Sequence, residues 1–132
     1  MIFDIHTHAF PDFLAKKAIQ NICSLAPGQK PVTGGTLKDL LKSMDQAEID
    51  CSAVACIATK PEQVPSILKW CGKIRSDRII PFPGLHPDDK DLETNMQKIK
   101  DLDFKGVKIH PQYQGFCLDN AGLTPVFEFL QE

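Results

Sequence analysis

The 132-residue chain lacks long apolar runs, an excess of charge of one sign, and paired cysteine motifs. No apolar stretch approaches the ~20 residues that a membrane-spanning helix needs. A net charge of −2 gives no basic surface for nucleic acid or anionic lipid. The N-terminus has no cationic segment followed by an apolar core, so we expect no signal peptide. These absences predict a cytoplasmic protein that binds neither nucleic acid nor membrane.

The cysteine content argues against a disulfide framework. There are five cysteines, an odd number, and none forms a C-x-x-C pair. Cys51 and Cys56 lie in an apolar run and Cys71 lies on an apolar helix face, so we expect reduced, mostly buried thiols. With 42% hydrophobic and 24% charged residues, residues 1–132 suit a single globular domain.

Hydrophobic periodicity alternates between the strand period and the helix period along the chain. The predicted strands cover residues 2–8, 51–59, 78–86 and 104–110. The predicted helices cover residues 12–24, 36–49, 61–74, 88–102 and 124–132, with loops at 27–35 and 111–120. This order predicts an α/β fold of parallel strands joined by right-handed helical crossovers.

Two local patterns predict how particular elements begin or break. Thr36 and Asp39 have the spacing of a capping box, with Asp in place of the usual Glu, at the start of the second helix. Pro81 and Pro83 interrupt the third strand. Because proline cannot donate to a backbone ladder, we expect this strand to be irregular or only partly paired.

The first strand ends in the pair His6-x-His8. Strict alternation places Asp4, His6 and His8 on one face, and the apolar Ile2, Phe3 and Ile5 indicate a buried strand. Two imidazoles at this spacing can bind one Zn²⁺ ion or another divalent metal that accepts nitrogen ligands. The alternative is a polar strand end whose histidines only form hydrogen bonds.

Each of the four histidines lies at the C-terminal end of a predicted strand: His6, His8, His86 and His110. Active sites of parallel sheets and barrels form at those ends, so the pattern predicts one shared site. Lys108 shares a strand face with His110, and we expect both to be catalytic. The lysine could act as a general base, as an electrostatic clamp or, after carboxylation, as a bridging ligand; the alternative is a surface lysine. His86 and Tyr113 are candidates for substrate binding, although His86 could merely cap its strand.

Three motifs together resemble a known family: Asp4-x-His6-x-His8, Gly84-Leu85-His86-Pro87 and Gly106-Val107-Lys108-Ile109-His110-Pro111. They resemble the amidohydrolase superfamily, and within it the "amidohydrolase 2" metal-dependent hydrolases, which include decarboxylases related to aminocarboxymuconate semialdehyde decarboxylase. The resemblance implies a (β/α)₈ barrel in which His6 and His8 are the first two ligands of a divalent metal, with zinc expected. That metal activates a water molecule for attack on a small-molecule substrate.

The chain departs from this family in length. A complete barrel needs about 250 residues, whereas four βα units are predicted here, which corresponds to the N-terminal half of a TIM barrel. The family's later ligands, on the fifth, sixth and eighth strands, have no counterpart. A half barrel leaves two strand edges unpaired, so we expect a homo-oligomer or association with a missing C-terminal half. A four-stranded open α/β sheet is the structural alternative.

These observations leave several functions open. The first is a metal-dependent hydrolase, and a decarboxylase of the same family is the alternative. The second is a non-catalytic half that works only after assembly with another half. The third is a phosphoesterase of the polymerase-and-histidinol-phosphatase type, which ranks below the others because residues 9–60 contain no histidine.

Overall fold

A computed structural model describes residues 1–25, 28 and 30–131 of the chain. Its strands form one three-stranded sheet in the order β1–β2–β3, with β1 at Phe3–Thr7, β2 at Cys51–Ala55 and β3 at Ile79–Phe82. The β1–β2 pairing is parallel. The β2–β3 pairing is parallel as well, because Ser52 and Cys56 donate their N–H groups to the carbonyls of Arg78 and Phe82. The predicted α/β class with parallel strands and alternating helices is therefore confirmed.

Six helices accompany the strands in the described residues: α1 at Asp12–Leu25, α2 at Leu37–Gln46, α3 at Val64–Ile74, α4 at Leu92–Asp101, α5 at Pro111–Gln114 and α6 at Thr124–Phe129. Short 3₁₀ turns at Pro61–Gln63 and Ala121–Leu123 precede α3 and α6. The predicted loop at 111–120 is wrong in part, because it contains α5. The predicted loop at 27–35 falls partly outside the described residues. None of the helices in the described ranges is long and apolar enough to cross a membrane.

The chain divides into two compact units. One comprises Met1–Val54 and Ser76–Ile80, and the other comprises Ala55–Arg75 and Pro81–Glu132. The first unit buries small and medium apolar side chains, among them Ala15, Met44, Ala53, Val54 and Ile79. The second unit has a continuous apolar core formed by Ala58, Val64, Leu68, Leu85, Leu92, Met96, Ile99, Leu123 and Val126.

The capping box at the start of α2 is confirmed. The Thr36 Oγ1 accepts a hydrogen bond from the Asp39 N–H at 3.1 Å, and Asp39 Oδ2 accepts from the Thr36 N–H at 3.3 Å. The Thr36 hydroxyl also donates to Asp39 Oδ2 at 2.8 Å. These hydrogen bonds hold the pKa of the Asp39 carboxyl below its usual value. The reciprocal contacts satisfy backbone donors that have no partner inside the helix.

The prediction of a buried first strand is wrong. Ile2, Phe3 and Ile5 are exposed, and Ile5 retains 64% of its accessible surface. The strand order places β1 at an edge of the sheet, with β2 as its only partner in the described part of the chain. Burial of the short apolar run Cys51–Ala55, by contrast, follows the prediction for a central parallel strand, with Ala53 and Val54 fully buried.

The predicted fourth strand at residues 104–110 is reduced to one parallel bridge, between Gly84 and Lys108. Lys108 donates its N–H to the Pro83 carbonyl at 2.8 Å, and Leu85 donates to the Lys108 carbonyl at 3.3 Å. The preceding ladder bond would need an N–H at Pro83, which proline lacks. The described residues thus show three strands and this one bridge, and the expected irregular pairing around Pro83 is confirmed.

Gly84 lies where two backbone segments of the second unit approach closely. A Cβ at this position would lie 2.5 Å from both the Ala58 nitrogen and the Cys56 oxygen. These are backbone atoms, so they cannot move aside as the end of a flexible side chain can. The close approach fixes the segment that follows β3 against the segment that follows β2, and His86 lies two residues further on.

We predict that Gly84→Ala destabilises the protein by about 3 kcal/mol or more, because the new methyl group overlaps backbone atoms. The matched control is Gly72→Ala in α3, where a Cβ meets nothing within 4 Å. Alanine has the higher helix propensity, so this control should gain up to about 1 kcal/mol. Urea unfolding followed by circular dichroism measures both changes. Equal midpoints for the Gly84→Ala variant and the unsubstituted chain would contradict the close approach.

Candidate functional site

His6 and His8 lie side by side at the end of β1. Both side chains are exposed, and their ring centroids are 5.1 Å apart with an interplanar angle of 66°. Thr7 between them is half-buried, and its hydroxyl donates to the Ala53 carbonyl of β2 at 2.8 Å. The side chain of Thr7 thus fixes the strand end to β2 and leaves the two imidazoles on the surface of the first unit.

The expected strict alternation along β1 is wrong. Asp4 pairs with Ser52 and Thr7 pairs with Val54, so β1 contains one extra residue between these pairs. This is the geometry of a β-bulge, which re-aims side chains and breaks the two-residue period. Asp4 Oδ1 accepts a hydrogen bond from the His6 N–H at 3.1 Å, so this carboxylate supports the bulged backbone.

The separation of the two rings fits a shared metal ion. Two imidazoles bound to one zinc ion at about 2.1 Å with a tetrahedral angle place their centroids about 5.2 Å apart. The observed 5.1 Å agrees with that value. No cluster of three or more His, Cys, Asp or Glu side chains with metal-binding geometry occurs among residues 1–25, 28 and 30–131. His6 and His8 could therefore supply two ligands, and water or other groups would complete the coordination.

Lys108 and His110 lie in the second unit, on the segment that forms the bridge to Gly84. Both side chains are half-buried. Within the described residues, the Lys108 side chain forms no hydrogen bond or ion pair, so its ammonium group is available to a ligand. Phe82 fills the space beside Gly106, because a Cβ there would lie 3.2 Å from the Phe82 ring.

His110 begins α5 and is held by its neighbours. Its ring stacks on Tyr113 with centroids 4.2 Å apart and planes 8° from parallel. Its Nδ1 accepts a long hydrogen bond, 3.5 Å, from the Tyr113 N–H. Tyr113 therefore supports the imidazole of His110, and its expected contact with substrate stays a prediction.

His86 is buried, with 4% of its surface exposed. Its Nδ1 accepts a hydrogen bond from the Asp88 N–H at 3.2 Å, and its carbonyl accepts from the Asp89 N–H. The Asp88 carboxylate lies 3.9 Å from the same nitrogen, beyond hydrogen-bond distance. The fold thus fixes the ring as a cap of the chain that follows β3, while its other nitrogen forms no hydrogen bond in the described residues.

Gln114 is the residue that the sequence prediction missed. This side chain is 8% exposed and forms three hydrogen bonds. Its Nε2 donates to the carbonyls of Ala58 and Leu85 at 2.8 and 2.6 Å, and its Oε1 accepts from the His110 N–H at 2.5 Å. The only signal in the sequence is Pro111, which predicts a helix start that would bring residue 114 back towards residue 110.

The carboxamide of Gln114 replaces the next backbone bond of the ladder. A continued parallel pairing would join the His110 N–H directly to the Leu85 carbonyl. Instead both groups bind the same side-chain amide, which separates the two strand ends by the width of that amide. His86 and His110 are the residues at those ends.

Cysteine chemistry takes no part in this arrangement. All five cysteines are free in the described structure. A hydrogen bond to Cys56, followed by burial, raises the pKa of the Cys71 thiol well above its usual value. The Cys71 thiol therefore stays neutral. Cys56 and Cys71 are both buried and serve as apolar packing. A surface depression of about 550 Å³ is lined by residues of the segment 111–120, and its lining includes none of the predicted site histidines.

No family model matches the chain, and no curated protein matches it. The assignment of these residues to a function therefore depends on the local geometry described above.

We predict that Gln114→Met destabilises the protein by about 3 kcal/mol, because the variant leaves three buried backbone groups without partners. Gln112→Met is the matched control, since that side chain is exposed on the same short helix and its replacement should change stability by less than about 0.5 kcal/mol. Chemical denaturation of both variants tests this. If both variants lose the same small amount of stability, the carboxamide of Gln114 does not join the strand ends.

Proposed function

We propose that the chain is a metal-dependent hydrolase domain of the amidohydrolase type, whose sheet corresponds to the first part of a (β/α)₈ barrel. The observation that carries the proposal is the 5.1 Å separation of the His6 and His8 rings, which suits two ligands of one zinc ion. Three parallel strands followed by a parallel bridge at Lys108 support the barrel assignment.

His6 and His8 would hold the metal in this proposal. A bound zinc ion supplies a Lewis acid and lowers the pKa of a coordinated water towards neutrality. The Thr7 hydroxyl bond to Ala53 and the Asp4 carboxylate bond to the His6 N–H fix the backbone between the two ligands. A backbone fixed in this way loses little conformational freedom when a metal binds.

Within the second unit, Lys108 and His110 would bind negative charge on a substrate. The half-buried ammonium of Lys108 stabilises negative charge that develops on a substrate oxygen, and partial burial strengthens this interaction relative to water. His110 supplies a hydrogen bond from an imidazole whose orientation is set by Tyr113. A decarboxylase would use the same groups, because it too must neutralise charge on a carboxylate substrate.

We predict that the chain binds zinc and that the His6→Ala/His8→Ala double variant does not, because two neutral imidazoles provide the only ligands assigned. Equilibrium dialysis followed by elemental analysis measures the metal content. Cys117→Ser is the control, since it removes the exposed thiol that could bind zinc adventitiously. Full zinc content in the double variant would refute the metal assignment.

The expected association of two copies stays a prediction. It is supported by the exposed apolar side chains of the edge strand, Ile2, Phe3 and Ile5. If two copies pair along this edge, Ile5→Glu places a charge in the contact and should lower the association constant at least tenfold. Sedimentation equilibrium measures it, with the exposed Glu62→Gln as control. A strictly monomeric unsubstituted chain at high concentration would exclude the association.

A further inference from the structure

We propose that His86 and His110 form a paired donor site, in which each neutral imidazole offers its Nε2–H to a carboxylate oxygen of the substrate. The substrate class is therefore a carboxylic acid. The assignment of the ligand as a substrate rests on the proposed hydrolase function; binding of a carboxylate does not.

The two histidines occupy equivalent positions on neighbouring segments. Gly84 and Lys108 form the parallel bridge, and each histidine follows its bridge residue by two positions. In a regular parallel pair, residues at equal register lie side by side and point to the same face. Here the ladder ends at the bridge, and the Gln114 carboxamide continues the link between the two segments. The Leu85 carbonyl and the His110 N–H both bind the Gln114 carboxamide, so the two strand ends stay within about 7 Å of each other.

The hydrogen bond at Nδ1 determines which nitrogen of His86 carries the proton. Nδ1 accepts from the Asp88 N–H at 3.2 Å, so it has no proton of its own, and the neutral ring is protonated at Nε2. The ring is 4% exposed. In the described part of the chain, Ser52 Oγ is the only fully buried side-chain polar atom without a partner. His86 Nε2 forms no hydrogen bond in the described residues either. Because it is not among the fully buried atoms, it retains some contact with solvent.

His110 has the same arrangement. Its Nδ1 accepts from the Tyr113 N–H, and the stacked Tyr113 ring keeps the imidazole in place although that hydrogen bond is long. Its Nε2 has no partner among the described residues. Both rings thus use Nδ1 to bind the backbone that follows them and keep Nε2 for an external group.

A proton on Nε2 excludes metal binding through that nitrogen and favours the donation of a hydrogen bond. A neutral imidazole with its proton on Nε2 cannot offer that nitrogen to a metal. It donates a hydrogen bond instead, and the acceptor must be an oxygen. Lys108 lies two residues before His110 on the same strand face and adds a positive charge. Two N–H donors beside one ammonium match the two oxygens and single negative charge of a carboxylate.

The tautomers can be measured on the unsubstituted chain. Long-range ¹H–¹⁵N correlation spectra, recorded above the pH at which the imidazoles are neutral, distinguish protonated from unprotonated ring nitrogens. We expect Nε2 to carry the proton in both His86 and His110. A proton on Nδ1 of either ring would overturn the proposal. Asp88→Asn is the control for His86, because the tautomer should persist when the nearby carboxylate is removed.

Binding is tested with acetate as the probe and chloride at equal ionic strength as the control. We expect acetate, and not chloride, to shift the Nε2 signals of both rings. His110→Phe keeps a ring to stack on Tyr113 but lacks the donor, so it should weaken acetate binding roughly tenfold. Equal shifts from chloride, or unchanged acetate affinity in His110→Phe, would refute the paired site.

The same titration separates this inference from the proposed metal site. The His6→Ala/His8→Ala variant should lose zinc and still bind acetate with unchanged affinity. If the unsubstituted chain binds acetate but no zinc, the hydrolase proposal fails and the paired donor site stands. If it binds zinc but acetate leaves both Nε2 signals unmoved, the paired donor site fails alone.

Discussion

A proline in a strand removes a backbone donor, and this constraint determines how the segment after β3 is held. The Cys56 N–H donates to the Phe82 carbonyl, so Phe82 directs its backbone groups towards β2. Backbone groups alternate along a strand, so Pro81 and Pro83 direct theirs to the other edge, where they have no N–H to offer. The backbone groups of this edge that do pair are the Pro83 carbonyl and the Leu85 N–H. The Pro83 carbonyl accepts from the Lys108 N–H, and the Leu85 N–H donates to the Lys108 carbonyl. Pro81 and Pro83 therefore prevent the segment around Lys108 from pairing with β3 as an uninterrupted strand.

The shortage of backbone donors explains why a side chain takes part in the ladder. Burial of an unpaired carbonyl or N–H costs about 1–3 kcal/mol, so the groups at Ala58, Leu85 and His110 need partners. The Gln114 carboxamide has both a donor and an acceptor and satisfies all three. This solution separates the strand ends that carry His86 and His110. At the first strand, the bulge between Asp4 and Thr7 has a similar effect beside His6 and His8. All four histidines thus lie where a regular ladder is interrupted.

The sequence predicts the features that depend on neighbouring residues and misses those that depend on distant ones. The Thr36–Asp39 capping box and the irregularity at Pro83 depend on residues within a few positions of one another, and the structure confirms both. The bulge in β1 depends on its register with β2, about 47 positions along the chain. Gln114 binds carbonyls 29 and 56 positions away. The exposure of Ile5 likewise depends on the order of the strands in the sheet, and that order cannot be predicted from local hydrophobic periodicity.

The proposed roles of His86 and His110 follow from hydrogen bonds within the second unit. Residue type alone makes every histidine at a strand end a candidate metal ligand. An imidazole that accepts a backbone N–H at Nδ1 has its neutral proton on Nε2 and is a donor. His86 and His110 both accept in this way. For His6 and His8 the relevant observation is the 5.1 Å separation of the ring centroids, on which the proposed zinc site rests. The partner of the second ring nitrogen can therefore distinguish a proposed hydrogen-bond donor from a proposed metal ligand.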